Sequence, residues 1–402
     1  METLGPFDSW DKKAYDSKEF RRKKIMFSAS EKEARYRAVR QVLNTEDLKA
    51  IILVGDMGIG PGFYGDLRYL TDYRVFYYRQ VVVVFPNSEP VLFIESSESQ
   101  RRVAAERSFV NDCRASSYFA ADVANLLKDR GVVVGRVGVS FEMLPTAWFM
   151  HFKKELPQIE WEEVHERILQ VRLQRSEEEA DIYRKGAALA DGGFEAVAKM
   201  IRPKVSEQEI VAEIEHFARA RGAEECFTLI TSGKFTLGDK NMLGGLHVPS
   251  PRLIEIGDTV EFEITPRYGG YWTQLVRRVN VGYPNHALSK LNTLSSNAIK
   301  KGLEHLNPGR TVADVFSAMK SHVNKGGYEL SSAVGHICGV DLVEARLNGD
   351  NKMVLTPGTA IIIHPRIFTP DRKSNSFWGE TYLLTHEGYE RLNHIGDEVL
   401  TI

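Results

Sequence analysis

The sequence predicts two domains of different class: an α/β domain over residues 1–165, and an α+β domain over residues 166–402 whose antiparallel sheet is covered by helices. Two observations indicate this division. Helical and strand-like segments alternate in the first part, whereas strands come in pairs between helices in the second. A chain of 402 residues is also long enough to bury two separate cores.

In the first part, the charged and amphipathic segment EKEARYRAVRQVLN predicts a helix. It is followed by three short β-branched runs, KAIILVG, RQVVVVFP and PVLFIES, which are bounded by Gly, Pro, Asn or Ser and predict buried strands. The domain should end near a long helical pattern that contains Ser176 and the acids Glu177 and Glu178, which are typical of a helix start.

From about Arg175 onward, helical segments alternate with strand pairs. The predicted helices are EQEIVAEIEHFARARGA, HALSKLNTLSSNAIKKGLEHL and VADVFSAMKSHVNKGG. The strand pairs are DTVEFEITPRYGGYWTQLVRRVNV and the stretch from TAIIIHPRIF to GETYLLT. Paired strands of this kind indicate hairpins, and hairpins indicate an antiparallel sheet.

Composition excludes several classes of protein. Hydrophobic residues make up 43% and charged residues 26% of the chain, and the formal net charge is −2, so no global field favours nucleic acid or an anionic membrane. Three scattered cysteines, without CxxC spacing, predict neither a disulfide framework nor a thiolate zinc site. No apolar segment approaches the length of a membrane span. These features favour a cytoplasmic protein.

The stretch GPGFYG, with Gly60, Gly62 and Gly65, matches the GxGxxG pattern of dinucleotide-binding folds. That pattern requires a helix that starts at the glycines and an acid about 20 residues later. The following residues are typical of turn and strand, and no acid stands between Asp72 and Glu89. We therefore expect a loop and no dinucleotide.

Four motifs of the second part resemble, in order, those of the M24 family, the pita-bread fold of methionine aminopeptidases, aminopeptidase P, prolidases and creatinase. The motifs are GDTVEFEITPRYGGYWTQLVRRVNVG, AVGHICGVDLVEA, LTPGTAIIIHPRIF and FWGETYLLTHEGYERL. A looser match covers the first domain. The resemblance implies a pita-bread fold for residues 166–402 and a creatinase-like N-terminal domain before it.

The resemblance also implies a site. The five metal-binding positions of the family fall on Glu263, Gln274, His336, His364 and Gly379, so His336 alone keeps the family residue. Val343 stands where a second histidine often lies, and His247 where the family has a histidine that contacts substrate. Two bridged divalent ions need carboxylates. We therefore expect no dinuclear centre.

Two alternatives stay open for these residues. In the first, the site is metal-free, as in creatinase, and His336 or His247 is the general acid or base, together with Glu263 and His364. In the second, Glu263, His336 and His364 hold one divalent metal ion.

Further residues are candidates for substrate binding. They are Gln274, Arg79, Tyr271, Trp378 and Glu380. In creatinase-like dimers the N-terminal domain presents an arginine to the partner's site, and Arg79 stands at the comparable place. The aromatic residues Phe76, Tyr77 and Tyr78 are candidates for a pocket wall.

The sequence thus predicts a creatinase-like or aminopeptidase P-like homodimeric hydrolase. It would cleave a C–N bond in a small amide, amidino, ureido or dipeptide-like substrate without a dinuclear metal centre. One alternative is an inactive M24 pseudoenzyme that binds peptide or protein. A third is a mononuclear-metal enzyme or an Xaa-Pro peptidase.

Overall fold

The computed structural model describes residues 27–55, 65–74, 79–95, 97–234 and 245–402. The chain divides into two compact units, Met1–Leu173 and Gln174–Ile402. The helix before this division therefore belongs to the first unit, although the sequence analysis assigned it to the second. Within the described residues, no helix is both long enough and apolar enough to cross a membrane.

The first unit is an α/β domain built on a six-stranded sheet. The strand order is β4-β3-β2-β1-β5-β6, with antiparallel β1–β2 and β2–β3 pairs and parallel pairs elsewhere. Its helices and strands, in chain order, are α1 Ala29–Thr45, β1 Leu48–Gly55, α2 Gly65–Thr71, β2 Gln80–Val84, β3 Val91–Glu95, α3 Glu98–Arg107, β4 Asp112–Ser116, α4 Phe119–Asp129, β5 Gly135–Val139, α5 Thr146–Glu155, β6 Ile159–Glu163 and α6 His165–Arg172.

The expected helix α1 and strands β1, β2 and β3 are confirmed. The expectation for the glycine-rich stretch is wrong in one respect, because helix α2 begins at Gly65 where turn and strand were expected. Its side chains are buried, including Leu67 and Leu70, so packing stabilises a helix too short to show a periodic pattern. Gly60 and Gly62 lie outside the described residues.

The second unit is an α+β domain built on a ten-stranded sheet. Its main path is β13-β12-β14-β17-β10-β8-β7, and a separate three-stranded sheet has the order β11-β15-β16. The elements are α7 Glu177–Ala198, α8 Glu207–Ala220, β7 Glu225–Lys234, β8 Asp258–Tyr268, β9 Tyr271–Trp272, β10 Leu275–Asn280, α9 His286–Leu303, α10 Val312–Lys325, β11 Glu329–Leu330, β12 Ala333–Ile337, β13 Ala345–Asn348, β14 Ala360–Ile363, β15 Arg366–Phe368, β16 Asn375–Phe377, β17 Gly379–Thr385, β18 Gly388–Arg391 and β19 Leu400–Thr401.

Local signals explain the ends of these elements. Ser176 caps α7 in a capping box: its hydroxyl accepts from the Glu179 backbone N–H, and the Glu179 carboxylate accepts from the Ser176 N–H. Gly269 and Gly270, with φ of 56° and 90°, form the tight turn after β8 that a two-residue hairpin requires. The predicted start of α7 and the predicted hairpin are therefore confirmed.

Candidate functional site

The hairpin of β8 and β10 places a carboxyl and an amide side by side. Gln274 lies between β9 and β10 and is 1% exposed. Its Nε2 donates to Glu263 Oε1 at 2.5 Å and to Thr265 Oγ1 at 3.1 Å. The Thr381 hydroxyl fixes the backbone here, because it accepts from the Gln274 N–H at 2.9 Å and donates to the Gln274 carbonyl at 3.0 Å. The amide is thus held rigidly against Glu263.

A pair of imidazoles lies on the neighbouring strands. His336 is on β12, and His364 follows the last residue of β14, where its backbone N–H donates to the Val334 carbonyl at 2.9 Å. The two rings are 5.2 Å apart, edge to face, and the ring of Phe377 lies 5.1 Å from that of His364. His336 Nδ1 is buried and has no hydrogen-bond partner among the described residues.

Strand pairing places Glu263 and His364 on one row of the sheet. Glu263 lies opposite Val276 on β10, and Val276 lies opposite Gly379 on β17. The register of β14 with β17 brings His364 next to Gly379. Directly opposed residues of antiparallel strands have their side chains on the same face. β17 and β8 are two strand spacings, about 10 Å, apart, and Val276 on β10 lies between them. Because His364 lies against Gly379 of β17, His364 and Glu263 flank the side chain of Val276.

Gly379 allows this arrangement because no side chain fits at its position. A Cβ atom there would lie 2.1 Å from the Ile363 carbonyl oxygen and 2.6 Å from the Cβ of His364. Both distances are far below van der Waals contact. His364 therefore lies where a side chain at position 379 would begin.

Burial changes the protonation of all three titratable groups. It raises the pKa of the Glu263 carboxyl to about 7, against a smaller lowering by the Arg366 guanidinium. Burial lowers the pKa of His336 to about 4 and that of His364 to about 3, and in His364 the neighbouring His336 and Arg366 add to the effect. At neutral pH both imidazoles are uncharged, whereas the Glu263 carboxyl is present in both its protonated and its ionised form.

Two of the predicted substrate-binding residues are parts of a buried ion-pair network. Glu380 accepts from Arg277, from Arg391 and from the Tyr382 hydroxyl, and Trp378 stacks under Arg277 with the guanidinium carbon 4.5 Å from the ring centroid. Successive strand residues point to opposite faces, so Glu380 points away from the face of Gly379. Its contacts are those of a structural carboxylate.

Tyr271 has a similar environment. It is 1% exposed, its hydroxyl donates to Glu179, and its ring packs edge to face on Tyr183 at 5.2 Å. These contacts join the hairpin to α7, and they account for its burial without a ligand.

The remaining candidates lie elsewhere. His247 is exposed, with its Nδ1 2.7 Å from the Val248 carbonyl and its backbone bridged to Ile230. Arg79 is exposed in the first unit, where it lines a depression of about 460 Å³ with Glu95, Trp148 and His151. Phe76, Tyr77 and Tyr78 lie outside the described residues.

Three residues that contact or influence the predicted site residues were not expected from the sequence. Thr265 receives the second Gln274 hydrogen bond, and Phe377 packs on His364. Arg366 influences both Glu263 and His364. The strand period was an available signal for Arg366, because residues two apart on an extended segment share a face and Arg366 follows His364 by two.

The same side chains offer few donors for a metal ion. Within the described parts of the chain, no group of three or more His, Cys, Asp or Glu residues is arranged to hold a metal ion. At the five positions taken from the resemblance, the side chains supply one carboxyl, one amide and two imidazoles. The carboxyl is engaged by Gln274 Nε2, and the fifth position cannot accept a side chain.

The chain is similar to characterised proteins over most of its length. It is 28% identical over 262 residues to an Xaa-Pro dipeptidase of Pyrococcus horikoshii, which covers 64% of this chain and 73% of the relative. It is 24% identical to a creatinase of a Bacillus species, over 87% of this chain and 86% of the relative. An Xaa-Pro dipeptidase structure from Bacillus anthracis superposes with a TM-score of 0.79 at 22% identity, covering 92% of this chain and all of the other.

Two family models match the two parts of the chain. Residues 35–174 match the creatinase/prolidase N-terminal domain. Residues 181–386, half of the whole chain, match metallopeptidase family M24. The structural likeness confirms the expected pita-bread fold. The motifs, the fold and the match over residues 181–386 agree, and the chain belongs to metallopeptidase family M24.

Proposed function

We propose that this protein is a hydrolase that cleaves a C–N bond in a small amide, amidino, ureido or dipeptide-like substrate without a pair of metal ions. The observation that carries the proposal is the arrangement across β14, β17, β10 and β8. A carboxyl fixed by Gln274 stands on one side of Val276, and the pair His336 and His364 stands on the other. Its relatives include Xaa-Pro dipeptidases and a creatinase, all of which are hydrolytic enzymes by name.

The donor set argues against two bridged ions. Such a centre needs several carboxylates to offset the charge and to bridge the ions. Glu263 is the only carboxyl at the five positions, and at Gly379 the Ile363 carbonyl oxygen lies where a Cβ would have to be. A single ion held by Glu263, His336 and His364 is the alternative: the imidazoles lie 5.2 Å apart and His336 Nδ1 has no partner among the described residues, but no three such side chains of the described residues are grouped to hold an ion.

In the metal-free reaction, Glu263 rather than a histidine carries the proton. Its pKa of about 7 matches neutral pH, whereas the pKa values of His336 and His364 are too low for either ring to take up a second proton and act as an acid there. Glu263 takes a proton from water as the C–O bond forms, and it delivers that proton to the nitrogen as the C–N bond breaks. The neutral imidazoles hydrogen-bond the substrate and fix its orientation, together with Gln274 Oε1, which has no hydrogen-bond partner among the described residues.

The test combines metal analysis with a matched pair of variants. Protein purified without added metal should contain less than one ion per chain, and its turnover of N-acyl amino acids and dipeptides should persist in the presence of chelator. Glu263→Gln should lower kcat/KM by about 10²–10⁴-fold, the range typical of a lost general base. Glu398→Gln, at an exposed glutamate, should behave as the wild type.

Three outcomes would favour other functions. Two ions per chain together with chelator-sensitive peptidase activity would overturn the proposal in favour of an Xaa-Pro peptidase. One ion, lost on His364→Ala, would support the mononuclear enzyme. No turnover of any substrate, combined with retained peptide binding, would indicate a pseudoenzyme.

A further inference from the structure

The first unit contains a depression of about 460 Å³, lined by residues of that unit. Small-molecule sites have volumes of roughly 300–1,000 Å³. The depression lies where the parallel strands β3 and β4 end, because Glu95, the last residue of β3, is paired with Ser116, the last residue of β4. Ligands of α/β sheets commonly bind outside the carboxyl ends of parallel strands. Size and position therefore both suit a ligand.

Glu95 brings an unpaired carboxylate to this depression. Its Oε2 is buried and has no hydrogen-bond partner among the described residues. Arg79 also lines the depression, but none of the described cations, Arg79 included, lies within ion-pairing distance of Glu95. Burial raises the pKa of the Glu95 carboxyl, as expected for an acid without a nearby cation. A shielded carboxylate oxygen of this kind is costly unless a ligand donates to it.

Two aromatic side chains form a wall of the same depression. The rings of Phe119 and Trp148 lie 5.3 Å apart, with 32° between their planes. Phe119 belongs to the hydrophobic core of the first unit, and Trp148 packs against that core. The face of an indole ring attracts cations more strongly than that of any other side chain. The depression thus combines a flat apolar surface with a negative charge.

The rim of the depression is fixed by a local hydrogen-bond pair. The Ser116 hydroxyl donates to Asp122 Oδ2 at 2.6 Å and accepts from the Tyr118 N–H at 3.1 Å, which holds the turn between β4 and α4. The side chain of Tyr118 lines the depression and is 76% exposed. A site whose wall and rim are already in place loses little conformational freedom when a ligand binds.

We propose that this depression binds a small protonated amine that carries a flat apolar group. The ammonium group donates to Glu95 Oε2, and the apolar group packs on Trp148. A neutral ligand of the same shape lacks the charge-assisted hydrogen bond, and an anion is repelled by Glu95. All the residues that line the depression belong to the first unit, so this inference is independent of the proposed function.

The experiment compares three probes of similar shape by calorimetry at pH 7: phenethylamine is a cation, phenethyl alcohol is neutral and phenylpropionate is an anion. The wild-type protein should bind the amine about tenfold more tightly than the alcohol, which is typical of one hydrogen bond to a charged group, and should bind phenylpropionate most weakly. Added salt should weaken binding of the amine and leave that of the alcohol unchanged.

A matched pair of variants locates the contact. Glu95→Gln should remove the preference for the amine, whereas Glu142→Gln, at an exposed glutamate of the same unit, should leave it unchanged. Trp148→Leu should weaken binding of both the amine and the alcohol, because both lose the aromatic surface. None of the probes contains a bond that a hydrolase of amides cleaves, so the result does not depend on turnover.

Several results would overturn the inference. They are equal binding of the amine and the alcohol by the wild type, absence of amine binding at millimolar concentration, and amine binding that survives Glu95→Gln but is lost in Glu263→Gln, which would place the amine in the candidate site. If Glu95→Gln does not fold, Trp148→Leu and the salt dependence decide: amine binding that neither of them weakens would also overturn it.

Discussion

Glu263 is the residue on which the proposed chemistry depends. Its carboxyl is partly buried between strands and hydrogen-bonded to an amide, and burial is the main reason that its pKa rises to about 7. A general base must be ionised before it can accept a proton. The catalytic rate should therefore depend on pH close to neutrality, well above the range of an ordinary carboxyl.

This gives a direct prediction for the pH profile. In wild-type protein, kcat/KM should fall as pH decreases through about 7, because Glu263 becomes protonated. Residual activity in Glu263→Gln should lack this acidic limb. Profiles measured between pH 5 and 9 at constant ionic strength test the assignment. A midpoint near the ordinary value for glutamate, or a limb that persists in the variant, would contradict it.

At this scale the sequence predicted the residue types better than their surroundings. Glu263, Gln274, His336 and His364 were singled out through the family motifs, and the structure shows that Gln274 contacts Glu263 and that His364 contacts His336. What the motifs could not show is burial. The low pKa values of both histidines follow from desolvation, which depends on strands distant in sequence.

At the scale of the element, the backbones of β12 and β17 both come very close to that of β14. Gly335 on β12, with a φ of 147°, faces it from one side, and Gly379 on β17 from the other. A Cβ atom at Gly335 would lie 2.0 Å from the Ile362 carbonyl oxygen. Both neighbouring strands thus use a glycine where they meet the strand that leads to His364.

Substitution at Gly379 should therefore be costly. Gly379→Ala should lower the free energy of unfolding by about 3 kcal/mol, since the added Cβ meets backbone atoms that cannot rotate away. Gly396→Ala is the matched control: nothing lies within 4 Å of its added Cβ, and we expect a change within about 0.5 kcal/mol. Urea denaturation of the full chain measures both variants. Equal stability of the two variants would show that β14 and β17 can separate without penalty.

The sequence predicted long elements and missed short ones for a physical reason. The start of helix α7 was located by Ser176 and the acids Glu177 and Glu178, and β8 by its place in a pair of strands, because both signals are local. The strands of the three-stranded sheet are only two or three residues long, and no periodicity can be read from them. That sheet carries Arg366 and Phe377, which were therefore not singled out from the sequence.

For the whole molecule, the buried site couples stability to pH. The folded-state pKa values of His336 and His364 are depressed, so these residues stabilise the fold above pH 6.5, and that contribution is lost as pH falls towards 4 and 3. The pKa of Glu263 is raised, so its contribution is fully present below pH 4.5 and is lost as pH rises to about 7. Between pH 4.5 and 6.5, unfolding binds two protons at the histidines and releases one at Glu263.

Because unfolding takes up one proton net, these three groups should raise the free energy of unfolding by about 1.4 kcal/mol for each unit by which the pH increases in that range. Replacing His364 with glutamine removes one of the two protons that the histidines bind on unfolding. The stability difference between wild type and His364→Gln should therefore change by about the same amount per pH unit between pH 4.5 and 6.5, in favour of the wild type at higher pH. Thermal or urea unfolding at pH 5, 6 and 7 measures it. A difference independent of pH would show that His364 is hydrated in the fold.

The two-unit architecture followed from the sequence because alternation and pairing of segments extend over hundreds of residues. The α/β class of the first unit and the antiparallel sheet of the second are confirmed. The predicted division follows residue 165, the first residue of α6, whereas the observed one follows Leu173, after α6 has ended. The periodic pattern runs through α6 into α7, and only packing decides which unit α6 joins.

Gly379 also limits which substitutions the site can accept. A mutation that restores an acidic side chain there collides with a main-chain oxygen, and no second mutation of a side chain removes that atom. The strand before His364 would first have to shift away from β17. A fifth ligand side chain at this position therefore requires a change of backbone, for which the replacement of one residue is not sufficient.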